Sequence, residues 1–202
     1  MYLFKKKQYK KCATDELVEF AQNDDTDALE ELVKRHQNSV YASFYYLSKE
    51  CQDILDLTQE ALLKMAKNIK SLKDPRKFKG WLNQIVTNVF YDYIRKTSRT
   101  PYTVPIDKSD DDKLETCPKI VELPCKSKNP EECTLGEELS DIIENSIHKL
   151  PDAFRLAIVL REFQGLSYEE IAEITNTNVG TVKSRIARAR SKLQEELKSY
   201  IA

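Results

Sequence analysis

Glycine and histidine are the scarce informative residues of this 202-residue chain. Its four glycines are Gly80, Gly136, Gly165 and Gly180. No two of them stand at the spacing of a Walker or GxGxxG loop, which excludes a backbone cradle for nucleotide phosphates. His36 and His148 are the only histidines, too few for a multi-histidine metal centre, and either would have to act alone as an imidazole base. Long apolar runs are missing too: the longest charge-free stretches, residues 37–48 and 80–91, fall short of the about 18 apolar residues that a membrane helix needs. Behind a short apolar start come Lys5, Lys6, Lys7, Lys10 and Lys11 with no leader-like hydrophobic segment. The protein is therefore expected to be soluble and cytoplasmic, without membrane insertion. Five cysteines, an odd number with no CxxC pair, then read as reduced thiols rather than a disulfide framework.

Charge is plentiful, and its distribution says more than its sum. The net charge is -1, yet residues 64–99 carry ten Lys or Arg against Asp74 and Asp92, while residues 106–138 carry ten Asp or Glu against five Lys. The acidic stretch also holds Pro118, Pro124 and Pro130 and keeps no apolar period, so it reads as a linker. Before it, Leu29, Leu32, Val33, His36, Val40, Phe44 and Leu47 recur at helical steps, and Ile54, Leu57, Ala61, Met65 and Ile69 give a second helix. A third opens at Asp74-Pro75, a capping residue with proline behind it, and continues through Phe78, Trp81, Leu82, Ile85, Val89 and Tyr93. His36 falls on an apolar face and reads as a core histidine with its polar atoms satisfied.

Beyond the linker, Leu135, Leu139, Ile142, Ile143, Ile147 and Leu150 precede a break at Pro151, and a shorter helix through Phe154 and Ile158 ends near Gly165. Ser167 and Glu170 form an S-x-x-E capping box at the front of the next helix. Residues 175–178 offer a turn, with Asn176 suited to a left-handed conformation and Asn178 to capping the last helix. That is helix-turn-helix spacing. No alternating strand pattern competes, so the expected fold is all-α. Two helical domains are joined by a flexible acidic linker: a basic tail, 1–13; a first domain, 14–99; the linker, 100–133; and a second domain with the helix-turn-helix, 134–202.

In the last helix Val182, Ile186, Ala189, Leu193 and Leu197 keep one stripe, and Ser184 falls opposite it. Arg185, Arg188 and Lys192 share the outer face, Lys183 and Arg190 flank the stripe, and Gly180 with Thr181 lie in the first turn, where free amides favour phosphate. No acid occurs between Glu173 and Glu195, where average composition would place roughly three, and an ordinary solvated helix mixes signs. Such a face suits DNA: cations along a groove release counterions, and a bidentate contact to guanine adds about 1–3 kcal/mol of discrimination. A basic surface helix or a protein-binding module is the competing reading of the same residues.

The run LPDAFRLAIVLREFQGLSYEEIAEITNTNVGTVKSRIARARSKL resembles the promoter-reading domain four of bacterial sigma factors, above all those of the extracytoplasmic-function group of the sigma-70 family. DALEELVKRHQNSVY, DILDLTQEALLKM and FKGWLNQIVTNVFYDYIRK resemble domain two, in the family's order. The resemblance implies a dissociable subunit that binds core RNA polymerase, recognises two promoter elements in DNA and helps open the duplex, with no catalytic residues, cofactor or metal of its own. It implies a polymerase surface at Asp53, Asp56, Leu57, Gln59 and Glu60, although solvated acids on an amphipathic helix would look the same. For the minus-10 element it implies the segment around Lys73, Arg76, Lys77 and Lys79, with Asn88 beside a flipped base. Trp81, Phe90 and Tyr93 keep the apolar period and read as packing residues rather than stacking platforms. An anti-sigma partner is common in the group, but no residue here identifies one.

The family often has glycine where Asn176 stands, a position asparagine can fill. Cys117, Cys125 and Cys133, eight residues apart, do not have ordinary zinc spacing and read as buried or incidental thiols, with a redox or metal switch as the competing reading. Two rivals stay open at this level: a helix-turn-helix regulator that never joins polymerase, and a recombinase or nuclease with a carboxyl-terminal DNA reader. The second lacks a discernible metal or nucleophile constellation.

Overall fold

A computed structural model describes residues 9–48, 51–99 and 130–201 of the chain, and all its regular elements are helical. The first half holds α1 (Thr14–Gln22), α2 (Thr26–Leu47), α3 (Cys51–Asn68) and α4 (Phe78–Arg99), with 3-10 turns at Ile69–Ser71 and Pro75–Lys77 between the last two. The second half holds α5 (Pro130–His148), α6 (Asp152–Ile158), a π-helical turn (Val159–Phe163), α7 (Tyr168–Thr175) and α8 (Val179–Ile201). Among the described residues, no helix is long and apolar enough to cross a membrane.

Short polar side chains set where the helices begin. Asp25 starts α2 by accepting the amides of Asp27 and Ala28 at 3.0 and 3.1 Å, two of the donors a helix start leaves without partners. Its other oxygen accepts the Tyr9 hydroxyl at 2.6 Å. Arg35, paired with Glu31 at 2.9 Å, donates to the carbonyls of Tyr9 and Cys12 at 2.5 and 2.7 Å. The chain ahead of α1 is thereby fastened to α2. Gln22 does the same at the far end of α1, where its amide donates to the carbonyls of Ile69 and Leu72 at 2.9 and 2.7 Å and satisfies acceptors freed as α3 ends. Asp74 caps the turn at Pro75 and accepts the Arg76 amide at 3.1 Å.

The apolar stripes read from the sequence meet as they should. Leu32, Val40, Phe44, Leu47, Ile54, Leu57, Ala61, Met65, Phe78, Leu82, Val89 and Phe90 are buried, with Trp81 and Tyr93 packed partly buried against them. The same cluster continues into the second half through Leu156, Leu160, Leu166, Ile171, Val182 and Ile186. A smaller cluster of Leu150, Ile158 and Ala189, with Phe154 and Leu193 against it, lies within the second half.

Three expectations need correction. Tyr9, placed in the basic tail, is only 8% exposed and belongs to the core, because Asp25 and Arg35 give its hydroxyl and carbonyl partners. The linker ends sooner than expected, since α5 already begins at Pro130, whose fixed φ and missing amide suit the first helical position. His36 is half-buried against Phe78, with ring centroids 5.0 Å apart, but its Nε2 is buried without a hydrogen-bond partner. Burial first, then the charges of Arg35 and Lys79, push its pKa below the usual value, so the neutral ring is the folded form. Cys117 and Cys125 lie outside the described residues, as does the side chain of Cys133.

Replacing Asp25 by Ala removes both the α2 cap and the Tyr9 anchor. Urea unfolding of the full chain should report a loss of about 1–2 kcal/mol, and a loss of under about 0.3 kcal/mol would contradict this role for the carboxylate.

Candidate nucleic-acid interface

The helix-turn-helix is built by four side chains. Ser167 accepts the Glu170 amide at 3.1 Å and Glu170 accepts the Ser167 amide at 2.7 Å, closing the capping box at the front of α7. The Ser167 amide, followed by its side chain, holds the Glu170 carboxyl below its usual pKa, with a smaller contribution from Lys79. Asn176 ends α7 at φ 50° and ψ 47°, the left-handed conformation that its short amide tolerates better than most side chains. Asn178 then accepts the Thr181 amide at 2.7 Å and the Thr181 hydroxyl at 2.9 Å, capping α8. A Cβ on Gly180 would stand 3.3 Å from that Asn178 oxygen, so the small residue leaves the cap room to form.

With Val182, Ile186 and Ala189 buried, the rotation of α8 is fixed. Gly180, Lys183, Ser184, Arg188, Arg190 and Lys192 are exposed, while Thr181 and Arg185 are half-buried. The buried stripe thus leaves all of the residues expected to read DNA outside the core, spread over the rest of the helix circumference, and two of them already have partners. The Thr181 amide is already used by Asn178 and is not open to a phosphate. Arg190 pairs with Glu162 of the π turn at 2.6 Å, so the acid that the stretch between Glu173 and Glu195 lacks is supplied from elsewhere. Lys183 lies 5.8 Å from the Tyr168 ring centroid, and Arg161 approaches the same ring at 4.7 Å. Ser184 turns its hydroxyl back to the Thr181 carbonyl at 2.9 Å.

In the first half Lys73, Arg76, Lys77, Lys79 and Asn88 are all exposed. Arg76 shares its guanidinium with Asp74, at 3.0 and 3.2 Å. Lys79 and Asn88 are both on α4, about 14 Å apart along its axis at the usual rise per residue. Trp81, Phe90 and Tyr93 pack against the core, as their spacing suggests.

The surface expected on α3 is only partly assembled. Asp56 and Gln59 are exposed, and Asp53 and Glu60 half-buried, the latter paired with Lys64 at 2.7 Å. Leu57 is 6% exposed and packs in the core, because it lies on the Ile54, Ala61 and Met65 stripe, so its side chain does not belong to that surface. Leu55 and Leu63 do face solvent, at 52% and 58% exposure. Their position off the buried stripe is a signal that sequence alone carries. Among the described residues there is no group of three or more His, Cys, Asp or Glu able to hold a metal ion.

Comparison with known proteins agrees with this architecture. The family pattern described as Sigma-70 region 2 matches residues 32–100, and that described as Sigma-70, region 4 matches residues 140–193. The ECF RNA polymerase sigma-E factor of Escherichia coli (strain K12) is 37% identical over 185 residues, covering 92% of this chain and 94% of that protein. The ECF RNA polymerase sigma factor SigE of Mycolicibacterium smegmatis is 34% identical over 172 residues, covering 85% of this chain and 62% of that one. Among solved structures, the sigma factor RpoE in complex with the anti-sigma factor NepR from Bartonella quintana aligns with a TM-score of 0.60 at 26% identity, covering 84% of this chain and 96% of that one. CnrH in complex with the cytosolic domain of CnrY has the same fold, with a TM-score of 0.60 at 22% identity over 93% of this chain and 99% of that one.

Glu170 provides a test of the capping box by pH. A carboxyl whose pKa is lowered by folding stabilises the protein fully above its unfolded pKa, and the contribution disappears as pH falls through the folded value. Urea unfolding should therefore show Glu170→Gln less stable than the parent at pH 7, with the difference closing below about pH 4. A difference independent of pH would contradict the charge-assisted cap.

Proposed function

This chain belongs to the sigma-70 family, in the extracytoplasmic-function group of RNA polymerase sigma factors, and we propose that its two halves read separate promoter elements while docked on core polymerase. As a sigma factor it binds core RNA polymerase and directs promoter-specific transcription initiation. The observation that carries this reading is the presence in one chain, in order, of both matched regions, each ending in a cationic, solvent-facing helical surface. A regulator working without polymerase would leave the region 2 match without a use.

In the proposed division of labour, residues 134–202 take the minus-35 element. Gly180 and Ser184 line the close approach, Arg185 and Arg188 reach base edges, and Lys183 and Lys192 neutralise phosphates. Arg190 contributes its charge while held by Glu162, which limits its reach. Residues 14–99 take the minus-10 element, where Lys73, Arg76, Lys77 and Lys79 follow the separated strand and Asn88 receives an unstacked base. Core polymerase docks on the outer face of α3. There Leu55 and Leu63, exposed and two turns apart with Gln59 between them, lie beside Asp56, Glu60 and Asp53 along one flank of the helix, an apolar pair next to polar groups. The chain acts by binding and has no catalysis of its own. It works in the cytoplasm and is a candidate for capture by an anti-sigma factor, the kind of partner with which the Bartonella relative was crystallised.

Transcription in vitro with core polymerase on a promoter library, with and without the chain, tests partner and readout together. Initiation at selected sites is the expected result, and its absence refutes the reading. On a responsive promoter, Arg185→Ala or Arg188→Ala should weaken use of the upstream element by about 5- to 150-fold if the side chain makes a specific base contact. Asn88→Ala should chiefly slow duplex opening, as read by permanganate reactivity. Lys192→Ala should lower affinity evenly across promoters and reduce the slope of log K against log salt by about 1.

A further inference from the structure

Of the five cations between Glu173 and Glu195, Arg190 alone has an ion-pair partner among the described residues. The π turn supplies it. At Val159–Phe163 the ladder widens, so that the Gln164 amide bonds the Val159 carbonyl at 3.2 Å, and the end of the turn is held on α2 by Phe163, stacked on Tyr46 with ring centroids 4.0 Å apart. Within the turn, Arg161 is occupied elsewhere: it donates to the Leu166 carbonyl at 2.7 Å and lies over the Tyr168 ring. The carboxylate of Glu162 accepts instead from Arg190, 28 residues further along the chain.

Stability does not account for this pair. Its side chains are 55% and 47% exposed, and an ion pair so placed contributes little and is screened by salt. Its effect falls on the charge of the surface. Paired, Arg190 adds nothing net to the helix; unpaired, it is one more cation that seeks phosphate. Its position makes that difference unequal between DNA sequences. At the usual turn per residue, Arg190 stands about 160° around α8 from Arg188 and about 140° from Arg185, on the flank that Lys183 occupies about two turns earlier. A complex whose register is set by Arg185 and Arg188 on base edges turns the Arg190 flank away from the groove floor. A complex held by phosphates alone has no register and can turn any free cation to the backbone. A free Arg190 therefore strengthens sequence-independent binding more than promoter binding.

We propose that Glu162 is a positioning residue for selectivity: by holding Arg190 it keeps one cation out of phosphate contacts and weakens binding to non-promoter DNA. The proposal rests on the reading of α8 as the promoter-reading helix. Non-promoter sites in a genome outnumber promoters by orders of magnitude, so the ratio of the two affinities decides where the chain is found. A carboxylate that weakens promoter binding little and non-promoter binding more raises that ratio.

The test compares the parent, Glu162→Gln, Glu162→Ala and the double variant Glu162→Gln with Arg190→Ala, each as the full chain and as holoenzyme with core polymerase. Fluorescence anisotropy on a random-sequence duplex and on a responsive promoter, between about 50 and 200 mM salt, reads affinity and salt slope. One freed cation should steepen the slope on the random duplex by about 0.9, equivalent to about 8-fold tighter binding at about 0.1 M salt, while promoter binding by the holoenzyme changes by under about twofold. The double variant should return to the parent's slope and affinity, because Arg190 carries the effect. Should Glu162→Gln still hold Arg190 through its amide oxygen, Glu162→Ala leaves no acceptor and carries the same measurements. An unchanged slope in both single variants, an equal gain on promoter and random duplex, or a double variant that keeps the tighter binding overturns the proposal. A parent that never joins core polymerase refutes the sigma-factor reading instead, while the random-duplex titrations of the free chain still judge the role of Glu162.

Discussion

What α8 presents to solvent is decided by what it buries. Val182, Ile186 and Ala189 occupy a single stripe, and once that stripe is covered by α6 and α7 the helix has no rotational freedom left. Every cation on it is then assigned a direction. The caps at Ser167 and Asn178 and the left-handed Asn176 fix the angle at which α8 leaves the turn, and the buried stripe fixes its rotation. Neither determines a base sequence, but together they fix the directions in which Arg185 and Arg188 leave the helix.

Cations in this molecule fall into three groups that composition does not separate. Arg35 and Arg155 are structural: the first ties the amino-terminal turn to α2, and the second, buried, pairs with Asp152 and donates to the His148 carbonyl at 3.3 Å. Lys73, Lys77, Arg188 and Lys192 stand in solvent. Arg76 and Arg190 are intermediate, exposed yet paired with Asp74 and Glu162. An exposed pair of this kind contributes little to stability.

Much of the fold was legible because its determinants are local. Periodicity located the helices, and S-x-x-E, Asn176 and Asn178 located the turn to the residue, since capping and left-handed geometry depend on a few neighbouring atoms. What remained hidden depends on distant pairs. Tyr9 reads as tail until Asp25 and Arg35 arrive from other helices, and Arg190 reads as unpaired until Glu162 is brought to it. Leu57 was misplaced for a different reason: the resemblance put it on a surface, although its own phase with Ile54 and Ala61 turns it inward. The π turn had no sequence signature in reach, since ordinary helix formers make it up.

That turn constrains how the chain can change. A π turn carries one residue more than the α-helical turn it replaces, and the neighbours on either side keep their phase because the extra residue is absorbed locally. Removing a single codon there would let a regular helix re-form with the turns on either side still in phase. The same loss in a regular helix has no such outlet and rotates everything beyond it by about 100°. The π turn is thus the one place between Asp152 and Phe163 where the helix can give up a residue and still aim its end at α2.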